Sequence, residues 1–113
     1  MKKEATIKLR IWVERGDLPF LGPGRVELLQ NIKKFGSISK AAAEVKMSYR
    51  KAWQLIKDMN SIAKSELVVK RVGGTEGGGA ELTKEGLKLV KSYEKVSENI
   101  NNFVLKNNTL FDF

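Results

Sequence analysis

The sequence predicts a mainly α-helical domain with a small β component, ordered as strand, three helices, hairpin and long final helix. Three observations predict it. Residues 6–14 alternate apolar and polar side chains, the period of a strand. Apolar residues recur at spacings of three and four in residues 25–35, from 49 to about 62, and from 84 toward 107, the period of a helix. Five of the seven residues 73–79 are glycine, too many for any regular element, and they separate two short segments able to pair.

Each element follows from its residues. In 6–14, Ile7, Leu9, Ile11 and Val13 share one face, and Lys8, Arg10, Trp12 and Glu14 the other, so a half-buried strand is expected. Residues 16–24 hold Pro19, Gly22 and Pro23 and read as a loop. Val26, Leu29, Ile32 and Phe35, with Leu28 beside them, form the inner stripe of the first helix, which Gly36 stops in a left-handed turn. Ser39 is the expected N-cap of a short alanine-rich helix, Lys46-Met47 a tight turn, and Ser48 the N-cap of the third helix. Residues 66–72 and 80–82 form the hairpin, and Thr83 caps the final helix. The expected division is a helix-turn-helix domain over 1–82 and a linker or dimerisation helix and tail over 83–113. No internal repeat is visible.

Composition narrows the function. The chain has 113 residues, the size of one ordinary domain, and a net charge of +8. A surplus of that size points to a polyanionic partner, nucleic acid first and an anionic membrane second. Cys and His are both absent, which excludes thiolate and imidazole metal sites, cysteine nucleophiles and histidine acid–base chemistry. No nucleophile–base pair can be assembled, so an enzyme is not expected, nor a metal or cofactor. Neither a leader pattern nor an apolar run of membrane-spanning length is present, so a cytoplasmic, nucleoid-associated location is expected.

The second and third helices carry the functional signal. Two helices joined by a turn of three or four residues form a scaffold for reading the major groove. Their crossing requires small residues, which Ala41, Ala42 and Ala43 supply, while Val45 and Met47 bracket the turn and point inward. On the third helix, Tyr49, Ala52, Trp53, Leu55, Ile56 and Met59 form one apolar arc. Arg50, Lys51, Gln54, Lys57 and Asp58 fill the opposite arc. Arginine can fork onto a guanine edge, glutamine onto an adenine edge, and lysine onto guanine or phosphate. Ser48 and the free backbone N–H groups beside it suit a phosphate. In isolation such a face is only a solvated surface; the small-residue helix before it favours DNA contact. Trp53 reads as a core residue. Tyr49 either closes the apolar arc or places its hydroxyl on a phosphate.

The hairpin adds a second basic element, a wing. Lys70 and Arg71 precede the glycine tip and Lys84 follows it, placed for the adjacent backbone or minor groove. A nucleotide phosphate loop is disfavoured: the G-x-x-x-x-G-K-[ST] pattern is missing, and Glu76 and Glu81 oppose phosphate. A merely mobile turn is the competing reading of the glycines. On the final helix, Leu89, Tyr93, Val96, Ile100 and Phe103 form a heptad stripe, partly free for a partner, so a homodimer is expected.

Several segments together resemble a known family. They are Gly22-Pro23-Gly24-Arg25-Val26-Glu27-Leu28-Leu29, Gly36-Ser37-Ile38-Ser39-x-Ala41-Ala42, Met47-Ser48-Tyr49-Arg50-Lys51-Ala52-Trp53, Met59-Asn60 and Gly77-Gly78-Gly79-Ala80-x-Leu82-Thr83-x-x-Gly86. The chain resembles, over roughly residues 6–96, the N-terminal DNA-binding domain of ModE-type, molybdate-responsive transcription regulators. The resemblance implies a winged helix-turn-helix fold of the LysR-like kind, dimeric operator binding and transcriptional control. It carries DNA contact onto Ser48, Tyr49, Arg50, Lys51 and the wing. The full expected DNA-contact set is Ser37, Ser39, Lys40, Ser48, Tyr49, Arg50, Lys51, Gln54, Lys57, Lys70, Arg71, Thr75 and Lys84. Regulators of this family carry C-terminal molybdate-binding domains for which this sequence has no room, so molybdate binding is not expected. At the wing, Val72-Gly73-Gly74-Thr75 departs from the family's frequent Thr-Gly-Gly. Sequence-specific DNA binding is the leading reading; a non-specific nucleoid-type binder or a winged-helix protein-interaction module is the alternative.

Overall fold

The computed structural model describes residues 4–71 and 79–111. The chain runs β1 (Val13–Arg15), β2 (Leu18–Leu21), α1 (Pro23–Phe35), α2 (Ile38–Glu44), α3 (Tyr49–Ile62), β3 (Val68–Arg71), β4 (Gly79–Leu82) and α4 (Lys84–Asn107), closing on a short 3₁₀ turn, Asn108–Leu110. It is mainly helical, with two antiparallel strand pairs, β1–β2 and β3–β4.

The first strand is much shorter than the alternation predicts. Residues 6–12 have no ladder partner and run beside α4 instead. The Ile7 N–H donates to Asn108 Oδ1 at 3.3 Å, and the Tyr93 hydroxyl donates to the Ile11 carbonyl at 2.7 Å. Ile7 and Ile11 are half-buried, as their period demands, whereas Leu9 and Val13 are exposed. A strand needs a neighbour for its backbone groups; here only Val13–Arg15 finds one, in the segment expected to be a loop. Val13 lies opposite Leu21 and Arg15 opposite Leu18, with a register shift between Val13 and Glu14. Gly16, at φ +61, takes the two-residue turn between them. Pro19 is tolerated because a two-stranded ribbon has only edges.

α1 begins two residues before the expected 25, with Pro23 at its first position, where the missing N–H costs nothing. Val26, Leu28, Leu29 and Ile32 are buried. Gly36 ends the helix at φ +65, donating its N–H to the Ile32 carbonyl at 2.8 Å. Ser37, not Ser39, caps α2: its Oγ accepts from the Lys40 N–H at 3.2 Å. The reason is burial, since starting the helix at Ile38 puts that side chain in the core together with Ala41 and Ala42. Ala43 faces outward, so two alanines rather than three make the helix crossing. Lys46 sits at φ +56 in the turn, and the Met47 N–H donates to the Ala42 carbonyl at 2.9 Å. Met47 packs on the core and Val45 is half-buried.

Ser48 caps α3 as expected, and the helix ends at Ile62. Its last turn has no basic residue to offset the partial negative charge of a helix C-terminus; Arg15 of β1 supplies one, donating to the Ile62 carbonyl at 2.7 Å. β3 and β4 pair Val68 with Leu82 and Arg71 with Gly79. The final helix starts on the backbone of the β3 approach. Thr83 donates its N–H to the Leu67 carbonyl at 2.9 Å and its hydroxyl to the Glu66 carbonyl at 2.6 Å, while its Oγ accepts from the Gly86 N–H at 3.0 Å. Gly86 lets the helix come this close, because a Cβ there would collide with the Leu67 carbonyl oxygen. Replacing Gly86 with Ala is expected to cost about 1–3 kcal/mol of stability, the usual penalty for overpacking, measured by urea denaturation.

Burial raises the pKa of Tyr93 above its ordinary value of 10.0. The folded protein therefore holds this proton more tightly than the unfolded chain. The resulting stabilisation is whole below pH 10.0 and is lost as pH rises through the raised folded value. Tyr93→Phe is expected to cost about 0.5–1.5 kcal/mol at neutral pH through the lost bond to Ile11. It should also flatten the fall in stability above that pH relative to the parent, measured by urea melts on both sides of it.

Candidate nucleic-acid interface

The inner arc of α3 places its outer arc. Ala52, Ile56 and Met59 have no solvent exposure, and Trp53 and Leu55 are partly buried against the same core. Arg50, Lys51, Gln54, Lys57 and Asp58 are all exposed. Tyr49, read from the sequence with the apolar arc, is 47% exposed and belongs to the open side at the helix start. Ser48 is exposed, and its Oγ accepts from the Lys51 N–H at 3.0 Å. Asp58, the only acid in the outer arc, lies 3.9 Å from the Arg25 guanidinium, which partly offsets its charge. Arg25 also donates to the Pro19 and Phe20 carbonyls at 3.1 and 3.2 Å.

The other expected contact residues fall into three places. Ser39 and Lys40 are exposed on the first turn of α2, next to the Ser37 cap. Lys84 is exposed at the first position of α4. Lys70 and Arg71 are exposed at the end of β3 that leads toward the glycine tip, and both are engaged within the chain. The Lys70 ammonium sits 4.4 Å from the centroid of the Trp53 ring, and Arg71 Nη2 donates to the Gly36 carbonyl at 3.3 Å. That carbonyl also accepts from the Ala80 N–H at 3.1 Å. The loop end of the β3–β4 ladder, the junction of α1 with α2 and Trp53 of α3 are thereby joined. Thr75 and most of the glycine tip lie outside the described residues.

On α4 the heptad stripe divides. Leu89 and Tyr93 pack on the core and Ile100 is half-buried, whereas Val96 is 47% and Phe103 68% exposed.

Sequence reasoning missed three positioning residues. Asn60 fastens α3 to β3: its Oδ1 accepts from the Leu67 and Val68 N–H groups at 2.8 and 3.3 Å, and its Nδ2 donates to the Val68 carbonyl at 3.1 Å. A lone amide that follows the buried Met59 and continues the apolar arc one turn beyond Ile56 was the available signal. The missing cation in the last turn of α3 was the signal for Arg15. Arg25 had none, because its carbonyl partners lie on a strand the sequence reads as a loop. Among the described residues, no helix is long and apolar enough to cross a membrane, and no three His, Cys, Asp or Glu side chains cluster to hold a metal ion.

The described residues thus build a mainly helical unit in which a short turn joins α2 to α3, with a basic outer face on α3, an antiparallel strand pair beside it and a long trailing helix. Comparison with known proteins gives a more particular likeness, to ModE regulators. The chain is 43% identical over 75 residues to the transcriptional regulator ModE of Yersinia pestis, a match covering 66% of this chain and 28% of that protein. It is 39% identical over 79 residues to the DNA-binding transcriptional dual regulator ModE of Escherichia coli K12, covering 70% of this chain and 30% of the relative. It is 44% identical over 73 residues to the molybdenum transport protein ModE of Azotobacter vinelandii, covering 65% and 27%. The resemblance to ModE-type regulators read from the sequence therefore holds, and the match spans under a third of the length of these relatives. No family model matches the chain.

Proposed function

We propose that this chain is the sequence-specific DNA-binding unit of a transcriptional regulator, a winged helix-turn-helix domain acting on chromosomal DNA in the cytoplasm. The reading rests on one observation above the others: Arg50, Lys51, Gln54 and Lys57 are exposed together on α3 while Ala52, Ile56 and Met59 on its other side are buried in the core. α3 enters the major groove, with Arg50 and Gln54 on base edges and Ser48, Lys51 and Lys57 on base or phosphate. Tyr49, Ser39, Lys40 and the Ser37 end of α2 lie along the adjacent strand. The β3–β4 hairpin acts as the wing, with Lys84 beside it and Thr75 toward its tip, on the neighbouring backbone or minor groove. The net charge of +8 supports the polyanionic partner, and the printed names of the ModE relatives support its being DNA. No cofactor, catalytic group or molybdate site is part of the proposal.

Selection of bound sites from random duplex DNA tests it. Arg50→Ala and Gln54→Ala are each expected to cost about 1–3 kcal/mol at one base position and to blur preference there, leaving other positions unchanged. Equal loss on every sequence, or no selected site at all, would replace the proposal with non-specific coating of DNA.

The proposed unit is a homodimer joined along the free part of α4, so that two copies of α3 meet successive major grooves. The exposed Val96 and Phe103 support this, since Leu89 and Tyr93 are already used within the subunit. The division into a unit over 1–82 and a helix and tail over 83–113 is proposed with Gly86, Leu89, Val90 and Tyr93 of α4 as the seam that packs the second on the first. A Val96→Asp, Phe103→Asp variant is expected to sediment as a monomer with its melting temperature nearly unchanged, and a persistent dimer would place the contact elsewhere.

A further inference from the structure

Two exposed cations of the hairpin are already occupied inside the subunit, and their placement follows from strand geometry. Neighbouring side chains on a strand point to opposite faces. Lys70 and Arg71, adjacent at the end of β3, therefore reach in opposite directions from the strand pair. On one side the Lys70 ammonium stands 4.4 Å from the centroid of the Trp53 indole, within the range of a cation–π contact. On the other, Arg71 Nη2 donates to the Gly36 carbonyl at 3.3 Å. The guanidinium fits a notch left by two glycines: a Cβ at Gly36 would stand 2.7 Å from Nη2, and one at Gly79 3.1 Å. The pairing of β3 with β4 covers only four residues on each strand. A ribbon that short has little stability or orientation of its own, so its attitude must come from what it is tied to.

Trp53 is the informative partner. It lies on α3 one turn after Arg50 and immediately before Gln54, so whatever grips its ring ties the hairpin to the helix face proposed to read bases. We infer that Lys70 is a positioning residue: stacked on Trp53, it aligns the wing with α3 rather than neutralising a DNA phosphate. Arg71 anchors the other face of the same ribbon to the end of α1. This role rests on the DNA-binding reading and refines it, because a phosphate-binding lysine and an aligning lysine leave different signatures. A phosphate contact releases counterions, and its loss lowers the slope of log affinity against log salt by about 0.9. Loss of an alignment contact weakens binding without changing that slope.

The experiment uses Lys70→Gln and Lys70→Arg in a Trp12→Phe background, which leaves Trp53 as the sole indole of the chain. In the free protein, Lys70→Gln is expected to change Trp53 emission, and Lys70→Arg, which keeps a cation over the ring, to restore it. On a duplex site selected from random DNA, Lys70→Gln is expected to bind about two- to fivefold more weakly, the factor corresponding to an exposed cation–π contact. Its salt dependence should run parallel to that of the background protein, and Lys70→Arg should recover the affinity. Trp53 emission unchanged by Lys70→Gln overturns the inference, as does a salt slope shallower by about 0.9. If the background protein binds no duplex, the DNA-binding reading fails and the aligning role with it, while the emission result still decides whether Lys70 holds Trp53.

Discussion

The burial of three side chains on one side of α3 governs the rest of the molecule. Ala52, Ile56 and Met59 are fully removed from solvent, and the small Ala41 and Ala42 of α2 leave room for the two helices to approach. Burying a side chain of the size of isoleucine or methionine is worth roughly 1.5–3 kcal/mol. Rotating α3 by one residue, about 100°, would bring Lys57 and Asn60 inward in one sense, or Lys51 and Asp58 in the other, into an interior that holds no buried polar or charged residue among those described. The outward face is therefore set by the inward one. A polar surface held this rigidly costs little further ordering when it meets a partner, which is the property a recognition surface needs.

The elements around α3 are tied together at their ends, where backbone groups would otherwise lack partners. Asn60 satisfies the approach to β3, Thr83 uses the carbonyls of residues 66 and 67, and Arg15 reaches across from the first hairpin to the last carbonyl of α3. The Gly36 carbonyl receives both a main-chain and a guanidinium donor. These bonds are individually modest, near 1 kcal/mol for neutral pairs. Their common effect is to hold the two hairpins in fixed relation to one helix, a geometric result that apolar burial, being non-directional, does not supply.

The elements most legible in the sequence were those whose signal is local. The third helix and the final one declare themselves by period and by the caps Ser48 and Thr83, and the left-handed stop at Gly36 follows from residue type alone. The outward set from Arg50 to Asp58 was legible for the same reason, as the complement of an apolar arc. What was not legible depends on partners distant in the chain. The alternation in 6–14 records apolar positions correctly at Ile7 and Ile11, but whether they meet a strand or a helix is decided by Tyr93 and Asn108. The cap of α2 lies at Ser37 rather than Ser39 because Ile38 is buried, a tertiary fact that two nearby serines cannot reveal. Lys70 and Arg71 looked like free charges because cation–π and carbonyl partners leave no periodic trace.

The way residues 6–12 are held also bears on how the molecule opens. This segment has no ladder, and its described polar ties, from Ile7 to Asn108 and from Tyr93 to Ile11, span 101 and 82 residues. The α1–α2–α3 core, by contrast, is assembled from neighbours along the chain. Closing such large loops carries a greater entropic cost than closing small ones. An extended segment with exposed Leu9 and Trp12 recovers little of it through burial. In hydrogen-exchange terms, the N-terminal arm and the far end of α4 are expected to open at lower free energy than the three-helix core.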